Sequence, residues 1–177
     1  EKITDPDGRR LVYFGNWAGC AGLVDTLRGY GLRKDIQGTP NPFAALRPTH
    51  EYSDLGAVRA AVAEVGRAIR ETGLPASLSP LVVGIAGYGN VSRGVQDLLG
   101  ELPVQEISPD ELQDVDPSNT RTLYMTVFHE KDTVRRRDGS PFDLGEYLDN
   151  PELYEGVFAS YLPHISILIN AVYWSAE

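Results

Sequence analysis

The clearest pattern of apolar and polar positions lies between residues 81 and 99. An apolar run without alternation spans residues 81–86, which is typical of a parallel strand covered on both faces. Gly87 and Gly89 follow this run. Apolar residues then recur at helical spacing, at Val91, Val95, Leu98 and Leu99. The pattern therefore predicts a buried strand, a glycine turn and a helix, in that order.

The remainder of the chain alternates predicted strands and helices joined by short links. Strands are predicted at residues 10–14, 104–108, 121–128 and 165–173, and helices at 15–31, 54–71 and, interrupted at Pro151, 143–161. Residues 135–139 are predicted to form a charged, solvated turn. This alternation indicates an α/β fold, a Rossmann-like parallel sheet with flanking helices. We expect one compact domain, in which residues 1–80 supply an inter-domain strand and packing helices and residues 81–177 form the dinucleotide-binding core.

The glycine turn predicts a dinucleotide site. Gly87 would let the chain bend sharply, and Gly89 would keep any side chain away from a bound pyrophosphate. Free amides at the start of the following helix would face the phosphates. Ser92 stands where the third glycine of the fingerprint usually lies, and there it would cap the helix and approach a phosphate. The alternative is an ordinary strand–turn–helix without a ligand.

The end of the second core strand bears on the choice of cofactor. In this fold that strand usually ends with an acid that binds the adenosine ribose, roughly 20 residues beyond the glycines. Ser108 occupies this position. Because a carboxylate that would repel a 2′-phosphate is missing there, NADP(H) is slightly favoured over NAD(H). Arg93 would either neutralise that phosphate or lie on the surface.

One polar residue interrupts the apolar run of the last predicted strand. Asn170 needs a hydrogen-bond partner in such a run. The carboxyl end of this strand should lie beside the glycine turn, where the nicotinamide-side ribose would bind. Asn170 would then either contact the cofactor or tie the strand to the following loop, and both interpretations stay open.

Charge and composition narrow the range of partners. A formal charge of −9 and a pI near 4.8 argue against a nucleic-acid or anionic-membrane surface. No stretch approaches the ~20 apolar residues of a membrane span, and the first residues do not resemble a signal peptide. The single cysteine, Cys20, fits a reducing, cytoplasmic location. Since the chain begins without methionine, we expect a fragment of a two-domain enzyme.

The chain carries few groups suited to catalysis. His50, His129 and His164 are far apart and lack metal-ligand spacing, so no metal site is expected. There is no G-x-S-x-G motif and no convincing acid–base pair. Arg9 and Arg10 would either reach a cleft or lie in a solvated turn. We therefore expect no catalytic residue in this chain.

Several segments together resemble a known enzyme family. They lie in the family's order at residues 8–15, 18–22, 73–75, 87–92 with Gly94, 101–103, 109–112, 151–154 and 168–174. The Gly-Asn-Val-Ser turn at 89–92 and the Ile-Asn-x-x-Tyr-Trp ending at 169–174 are the more specific ones. The chain resembles lysine-ketoglutarate reductase, the saccharopine-forming enzyme of lysine breakdown. More distantly, it is similar to saccharopine dehydrogenase and the alanine dehydrogenase/transhydrogenase family.

The resemblance implies a reaction and roles for particular residues. The family condenses lysine with 2-oxoglutarate and reduces the resulting imine with NADPH. By resemblance, Arg9 or Arg10 would reach the cofactor or the dicarboxylate product. The resemblance also implies contacts with the cofactor. Gly89, Asn90 and Val91 would contact the dinucleotide, Ser108 the adenosine ribose, and Ala171 and Tyr173 the nicotinamide side.

The resemblance also implies partners. The family's catalytic lysine and histidine belong to a segment N-terminal to the residues present here, so a missing N-terminal substrate domain is expected. The substrates would be a small amino acid and a 2-oxo acid, and a homo-oligomer stays open. Two alternatives are an alanine-dehydrogenase-like amino acid dehydrogenase and a non-catalytic, nucleotide-binding regulatory module.

Overall fold

The computed structural model describes residues 3–8 and 10–172. In chain order the helices and strands are α1 (Gly15–Ile36), α2 (Leu55–Thr72), β1 (Leu81–Ala86), α3 (Asn90–Leu99), β2 (Val104–Glu106), β3 (Leu123–Phe128), α4 (Glu130–Thr133), β4 (Val134–Arg136), α5 (Leu144–Asp149), β5 (Tyr154–Gly156) and β6 (Ile167–Asn170). Short 3₁₀ turns occupy several of the links. The strand, glycine turn and helix predicted between residues 81 and 99 are all present.

A parallel four-stranded sheet in the order β2-β3-β1-β6 forms the centre of the fold. β1 pairs with β3 on one side and with β6 on the other, so that Ala86 lies level with both Phe128 and Asn170. β2 joins the sheet only through β3. The predicted α/β class, with a parallel sheet flanked by helices, is confirmed. The strand order differs from the common dinucleotide fold, in which the second strand lies next to the first.

Both faces of β1 are buried, which is why its sequence is apolar without alternation. Leu81, Val83 and Ile85 belong to a large core cluster with side chains of α1, α2 and α3. Val82 belongs to a smaller cluster on the other face, which is covered by irregular segments around residues 107–115 and 158–165. The larger cluster contains residues from before and after position 80. The predicted division into packing elements at 1–80 and a dinucleotide-binding core at 81–177 stays a prediction.

Glycines allow α1 and α3 to pack backbone against backbone. A Cβ on Gly19 would overlap the carbonyl oxygen of Val91, and a Cβ on Gly94 would overlap the carbonyl oxygen of Asn16. The buried thiol of Cys20 lies in the same contact, 3.4 Å from the Gly94 carbonyl oxygen. Burial raises the pKa of this thiol. This contact fixes the start of α1 beside the start of α3.

α2 begins and ends where the sequence predicts. The Asp54 side chain accepts a hydrogen bond from the backbone N–H of Ala57 at 2.9 Å and so caps the helix. Gly73 ends the helix with a φ of +82°, which favours glycine. The buried residues repeat at helical spacing at Val58, Val62, Val65 and Ile69.

The strand predicted at residues 10–14 is wrong. Arg10 forms only an isolated antiparallel bridge with Thr4. The apolar side chains that follow are exposed rather than paired, with Tyr13 at 61% and Phe14 at 65% exposure. An apolar run predicts a strand only if a neighbouring strand is available, and none of the described strands pairs with it.

The segment between residues 134 and 156 also differs from its prediction. Residues 137–139 form an exposed turn, as predicted, but this turn follows β4, which pairs antiparallel with β5, and the predicted long helix is reduced to the short helix α5 between the two strands. Arg136 contacts the Glu146 carboxylate at 2.8 Å, and the Tyr154 hydroxyl donates to the same carboxylate at 2.7 Å. Local charge does not reveal this arrangement because the pairing residues lie about 20 positions apart.

Candidate functional site

The chain turns at Gly87, where β1 ends. Its φ of +96° favours glycine, and a Cβ there would lie 3.0 Å from the Ala171 carbonyl oxygen. The N–H of Gly87 donates to the Phe128 carbonyl oxygen at 3.0 Å, and the N–H of Ala171 donates to Ala86 at 2.8 Å. Hydrogen bonds therefore hold the turn to the carboxyl ends of both neighbouring strands.

Gly89 lies in open space at the start of α3. Its φ of −77° is accessible to any residue, and a Cβ would meet no heavy atom of the described residues within 4 Å. The first helical hydrogen bond runs from the N–H of Arg93 to the Gly89 carbonyl oxygen at 3.0 Å. Preceding N–H groups have no partner inside the helix. No side chain of the described residues caps them, so they are available to an anion.

The start of α1 lies beside the start of α3. A Cβ on Gly15 would lie 3.0 Å from the Cβ of Asn90 and 3.6 Å from the backbone nitrogen of Val91. Within the described part of the chain no side chain caps α1 at Phe14, and neither helix has an acidic residue in its first turn. Each helix N-terminus carries a partial positive charge. Two such ends therefore meet beside the glycine turn.

A cavity of about 270 Å³ opens at the carboxyl ends of β1 and β6. Its lining is mostly apolar and consists of Ala86, Thr133, Phe158, Leu168, Asn170 and Val172. The Asn170 side chain accepts a hydrogen bond from the backbone N–H of Val172 at 3.1 Å. Asn170 therefore ties the strand to the following loop, as one of the two interpretations predicts, while its side chain also borders the cavity.

The carboxyl end of β3 brings a histidine and a glutamate against Tyr88, which lies in the glycine turn. The Tyr88 ring stacks on the His129 ring, with centroids 4.3 Å apart and planes 14° apart. The Tyr88 hydroxyl donates to a carboxylate oxygen of Glu130 at 3.3 Å, and this carboxylate raises the pKa of Tyr88. None of these three residues was predicted as a site residue from the sequence. The available signal was a histidine and a glutamate directly after the apolar run of β3.

Ser108 lies two strands away from the glycine turn. It follows β2, which β3 separates from β1. Two strand spacings correspond to roughly 10 Å. Its hydroxyl and backbone N–H each donate to the Glu111 carboxylate at 2.7 Å, and these bonds lower the pKa of Glu111. The Glu111 carboxylate of the following 3₁₀ helix thus lies against Ser108, and the preference for NADP(H) based on Ser108 stays a prediction.

The remaining predicted residues are placed as follows. The Ser92 side chain is fully buried and accepts a hydrogen bond from Gln96 at 2.9 Å, so it does not cap α3 as predicted. Its backbone N–H stays in the first turn of the helix. Arg10 lies in the exposed N-terminal hairpin that leads to α1. Arg9 and Tyr173 lie outside the described residues.

The described residues offer little for acid–base or metal chemistry. No group of three or more histidine, cysteine or acidic side chains in this part of the chain is arranged to hold a metal ion. His129 is engaged in the ring stack with Tyr88, and His164 lies in an exposed 3₁₀ turn. None of the helices in residues 3–8 and 10–172 is long and apolar enough to cross a membrane.

Comparison with curated proteins finds relatives along nearly the whole chain. Alpha-aminoadipic semialdehyde synthase of Arabidopsis thaliana is 37% identical over 188 residues, which cover 98% of this chain and 18% of that protein. The mitochondrial alpha-aminoadipic semialdehyde synthases of Rattus norvegicus and Mus musculus are 37% and 36% identical over 176 residues, covering 98% of this chain and 19% of each. This chain thus spans about a fifth of the relatives' length. No protein-family model matches it.

Proposed function

We propose, from the premise that this chain is a homologue of one segment of the alpha-aminoadipic semialdehyde synthases, that it forms the dinucleotide-binding part of a saccharopine-forming oxidoreductase. The predicted relationship to lysine-ketoglutarate reductase and saccharopine dehydrogenase is confirmed by these relatives. The cofactor of the proposal is a nicotinamide dinucleotide. Its substrates are an amino acid and a 2-oxo acid that condense to an imine.

The observation that carries the proposal is the crevice between β1 and β6. Ligands of open parallel sheets bind where neighbouring connections run in opposite directions from the carboxyl ends of the strands. The glycine turn, two helix N-termini without side-chain caps and the apolar cavity beside Asn170 all lie at this edge. A pyrophosphate would be held by the N–H groups of Asn90, Val91 and Ser92. The missing side chain at Gly89 leaves it room to approach.

The nicotinamide end belongs on the β6 side of this crevice. From a pyrophosphate at the start of α3, a dinucleotide extends in two directions across the strand ends. The cavity beside Asn170 lies on the β6 side of the pyrophosphate position and offers the apolar surface that a nicotinamide ring requires. Ala171, whose backbone borders the turn, and Tyr173 are the proposed contacts on that side. Arg9 or Arg10 is the proposed contact with cofactor or product.

The groups that catalyse imine formation and proton transfer are proposed to come from a substrate domain outside this chain. Hydride transfer to an imine needs a proton donor as well as a cofactor. In the described part of the chain, Lys131 is exposed, and Lys34 lies near the end of α1 with its ammonium 5.6 Å from the centre of the Tyr30 ring. The exposed apolar side chains of Tyr13, Phe14 and Trp17 lie at the start of α1, beside the crevice. We propose that the substrate domain covers them.

Cofactor binding without turnover is the expected behaviour of this chain alone. Titration calorimetry with NADH and NADPH should detect binding of at least one of them. A coupled assay with lysine, 2-oxoglutarate and reduced cofactor should then show no oxidation by the chain alone. The longer protein that contains it should oxidise the cofactor only when both substrates are present.

Results that differ from binding without turnover would change the proposed function in specific ways. If neither dinucleotide binds, the proposal fails. Turnover by the chain alone would place a catalytic group within these 177 residues. Binding by a longer protein that never turns over would favour the second candidate, a nucleotide-binding regulatory module, which the scarcity of acid–base groups also fits. The cytoplasmic location and the homo-oligomer stay predictions.

A further inference from the structure

The two outer strands of the central sheet differ in how well they are suited to face water. β2 forms one edge, and its exposed residues are the polar Gln105 and the charged Glu106. Among the described strands β6 forms the other edge, and its sequence Ile-Leu-Ile-Asn contains neither a charged residue nor a proline. Proteins commonly protect an exposed edge with charges, prolines or bulges, because an open edge pairs with other strands. The edge at β2 is protected in this way, whereas the edge at β6 is not.

The backbone of β6 directs hydrogen-bonding groups away from the sheet. The N–H of Ala171 donates to the Ala86 carbonyl oxygen, and Ala86 lies level with Asn170 in the ladder. Since neighbouring residues of a strand direct their backbone groups to opposite sides, Leu168 and Asn170 direct theirs away from β1. None of the described strands pairs with that side. An extended segment satisfies such groups by adding one more strand to the sheet.

The side chains of β6 also suit an internal strand. Ile167 belongs to the larger core cluster, and Ile169 packs against it. On the opposite face Leu168 is 42% exposed, and Val172, just beyond the strand, is 52% exposed. Apolar residues on both faces are typical of strands inside a parallel sheet. Leu168 and Val172 also border the apolar cavity at the ends of β1 and β6, so a segment beside β6 would cover that side of the cavity.

We propose that β6 pairs with a further parallel strand, supplied by the longer protein that contains this chain. This chain spans only 18% to 19% of its relatives' length, so the relatives have further segments that can supply such a strand. A strand of the same polypeptide is kept near β6 by the connecting chain. It would also continue the parallel pairing of β6 with β1.

A second copy of this chain is the competing occupant of the β6 edge. Two copies related by a two-fold axis would pair their β6 strands antiparallel, with the same surface on both sides. Each copy carries a formal charge of −9, and the repulsion between two such chains opposes their association. The charge therefore favours a strand of the longer protein over a second copy.

The test is hydrogen exchange, measured by mass spectrometry on the chain alone and on the longer protein. In the chain alone, the amides of Leu168 and Asn170 should exchange quickly, because no described strand pairs with them. In the longer protein their exchange should be slower by on the order of a hundredfold or more, because both amides become part of a ladder. Peptides that contain β2 should exchange equally in the two proteins.

Two matched substitutions distinguish the edges of the sheet. Leu168→Lys adds a charge at an exposed position of β6, and Gln105→Lys adds the same charge at an exposed position of β2. In the longer protein, Leu168→Lys should remove most of the added protection of β6, whereas Gln105→Lys should leave it in place. In the chain alone, both variants should unfold close to the midpoint of wild type, since neither position is in the core.

Three results would overturn the proposal. The β6 amides could exchange equally fast in the chain alone and in the longer protein, or Leu168→Lys could leave their protection in the longer protein unchanged. Sedimentation could instead show that the chain alone dimerises while its β6 amides become protected as its concentration rises, and a second copy would then occupy the edge. None of these results requires a bound dinucleotide, so the pairing of β6 and the proposed function are tested independently.

Discussion

Replacing Gly94 by alanine should lower the free energy of unfolding by about 3 kcal/mol, at the upper end of the cost of overpacking a core. The added Cβ would overlap the Asn16 carbonyl oxygen and lie 2.9 Å from its carbon. Both neighbours are helix backbone, so neither can rotate away, and α1 must move off α3. Thermal unfolding should show a midpoint about 6 to 12 °C lower than wild type for a chain of this length.

A matched substitution on α1 should act in the opposite direction. Gly22 is exposed in the middle of α1, and a Cβ there would meet no heavy atom of the described structure within 4 Å. Gly22→Ala should therefore stabilise the chain by about 0.5 to 1 kcal/mol through helix propensity alone. If Gly94→Ala were as harmless as Gly22→Ala, the backbone contact between α1 and α3 would be wrong.

Replacing Gly89 by valine should abolish dinucleotide binding without unfolding the chain. The backbone at Gly89 is accessible to valine, and the new side chain would enter open space rather than the core. That space is where the pyrophosphate would approach the N–H groups of α3. Losing two charge-assisted hydrogen bonds there corresponds to about 3 kcal/mol or more, or at least a hundredfold in affinity. Titration calorimetry and thermal unfolding measure the two effects separately.

Two further glycines serve as controls for this substitution. Gly29→Val adds the same side chain in open space about 20 Å along α1 from its start and should leave affinity unchanged. Gly87→Val should instead destabilise the fold, because it combines a φ of +96° with a close approach to Ala171. Equal cofactor affinity for wild type and Gly89→Val would exclude the turn as the phosphate site.

Local sequence patterns predicted the elements that depend on local interactions. The apolar run of β1, the glycines after it and the stripes of α2 and α3 each reflect burial of one segment, so the sequence predicted them correctly. The position of a strand within the sheet, in contrast, depends on which strands pair. Neighbouring strands in sequence are usually neighbours in space, but β3 lies between β1 and β2, and no local pattern reports that pairing.

In the candidate site, too, the sequence predicts some features, whereas others depend on the strand order. The glycine turn and the end of β6 were predicted to lie together, and the hydrogen bond from Ala171 to Ala86 places them so. The contact between Tyr88 and Glu130 joins residues 42 positions apart and depends on the strand order. Ser108 was assigned to the ribose because it ends the second core strand roughly 20 residues beyond the glycines, and this assignment stays a prediction. The partner of its hydroxyl, Glu111, lies three residues beyond it.

The most direct test of the central claim is to map dinucleotide binding on the isotopically labelled chain by NMR. On addition of NADPH or NADH, the largest amide shifts should fall on residues 87–92 and on Ala171. Amides around Gly73, at the far end of α2, should not move. Shifts confined to the separate cavity lined by Trp17, Thr49 and Tyr52, or no shifts with either NADH or NADPH, would contradict the assignment of this chain as a dinucleotide-binding domain.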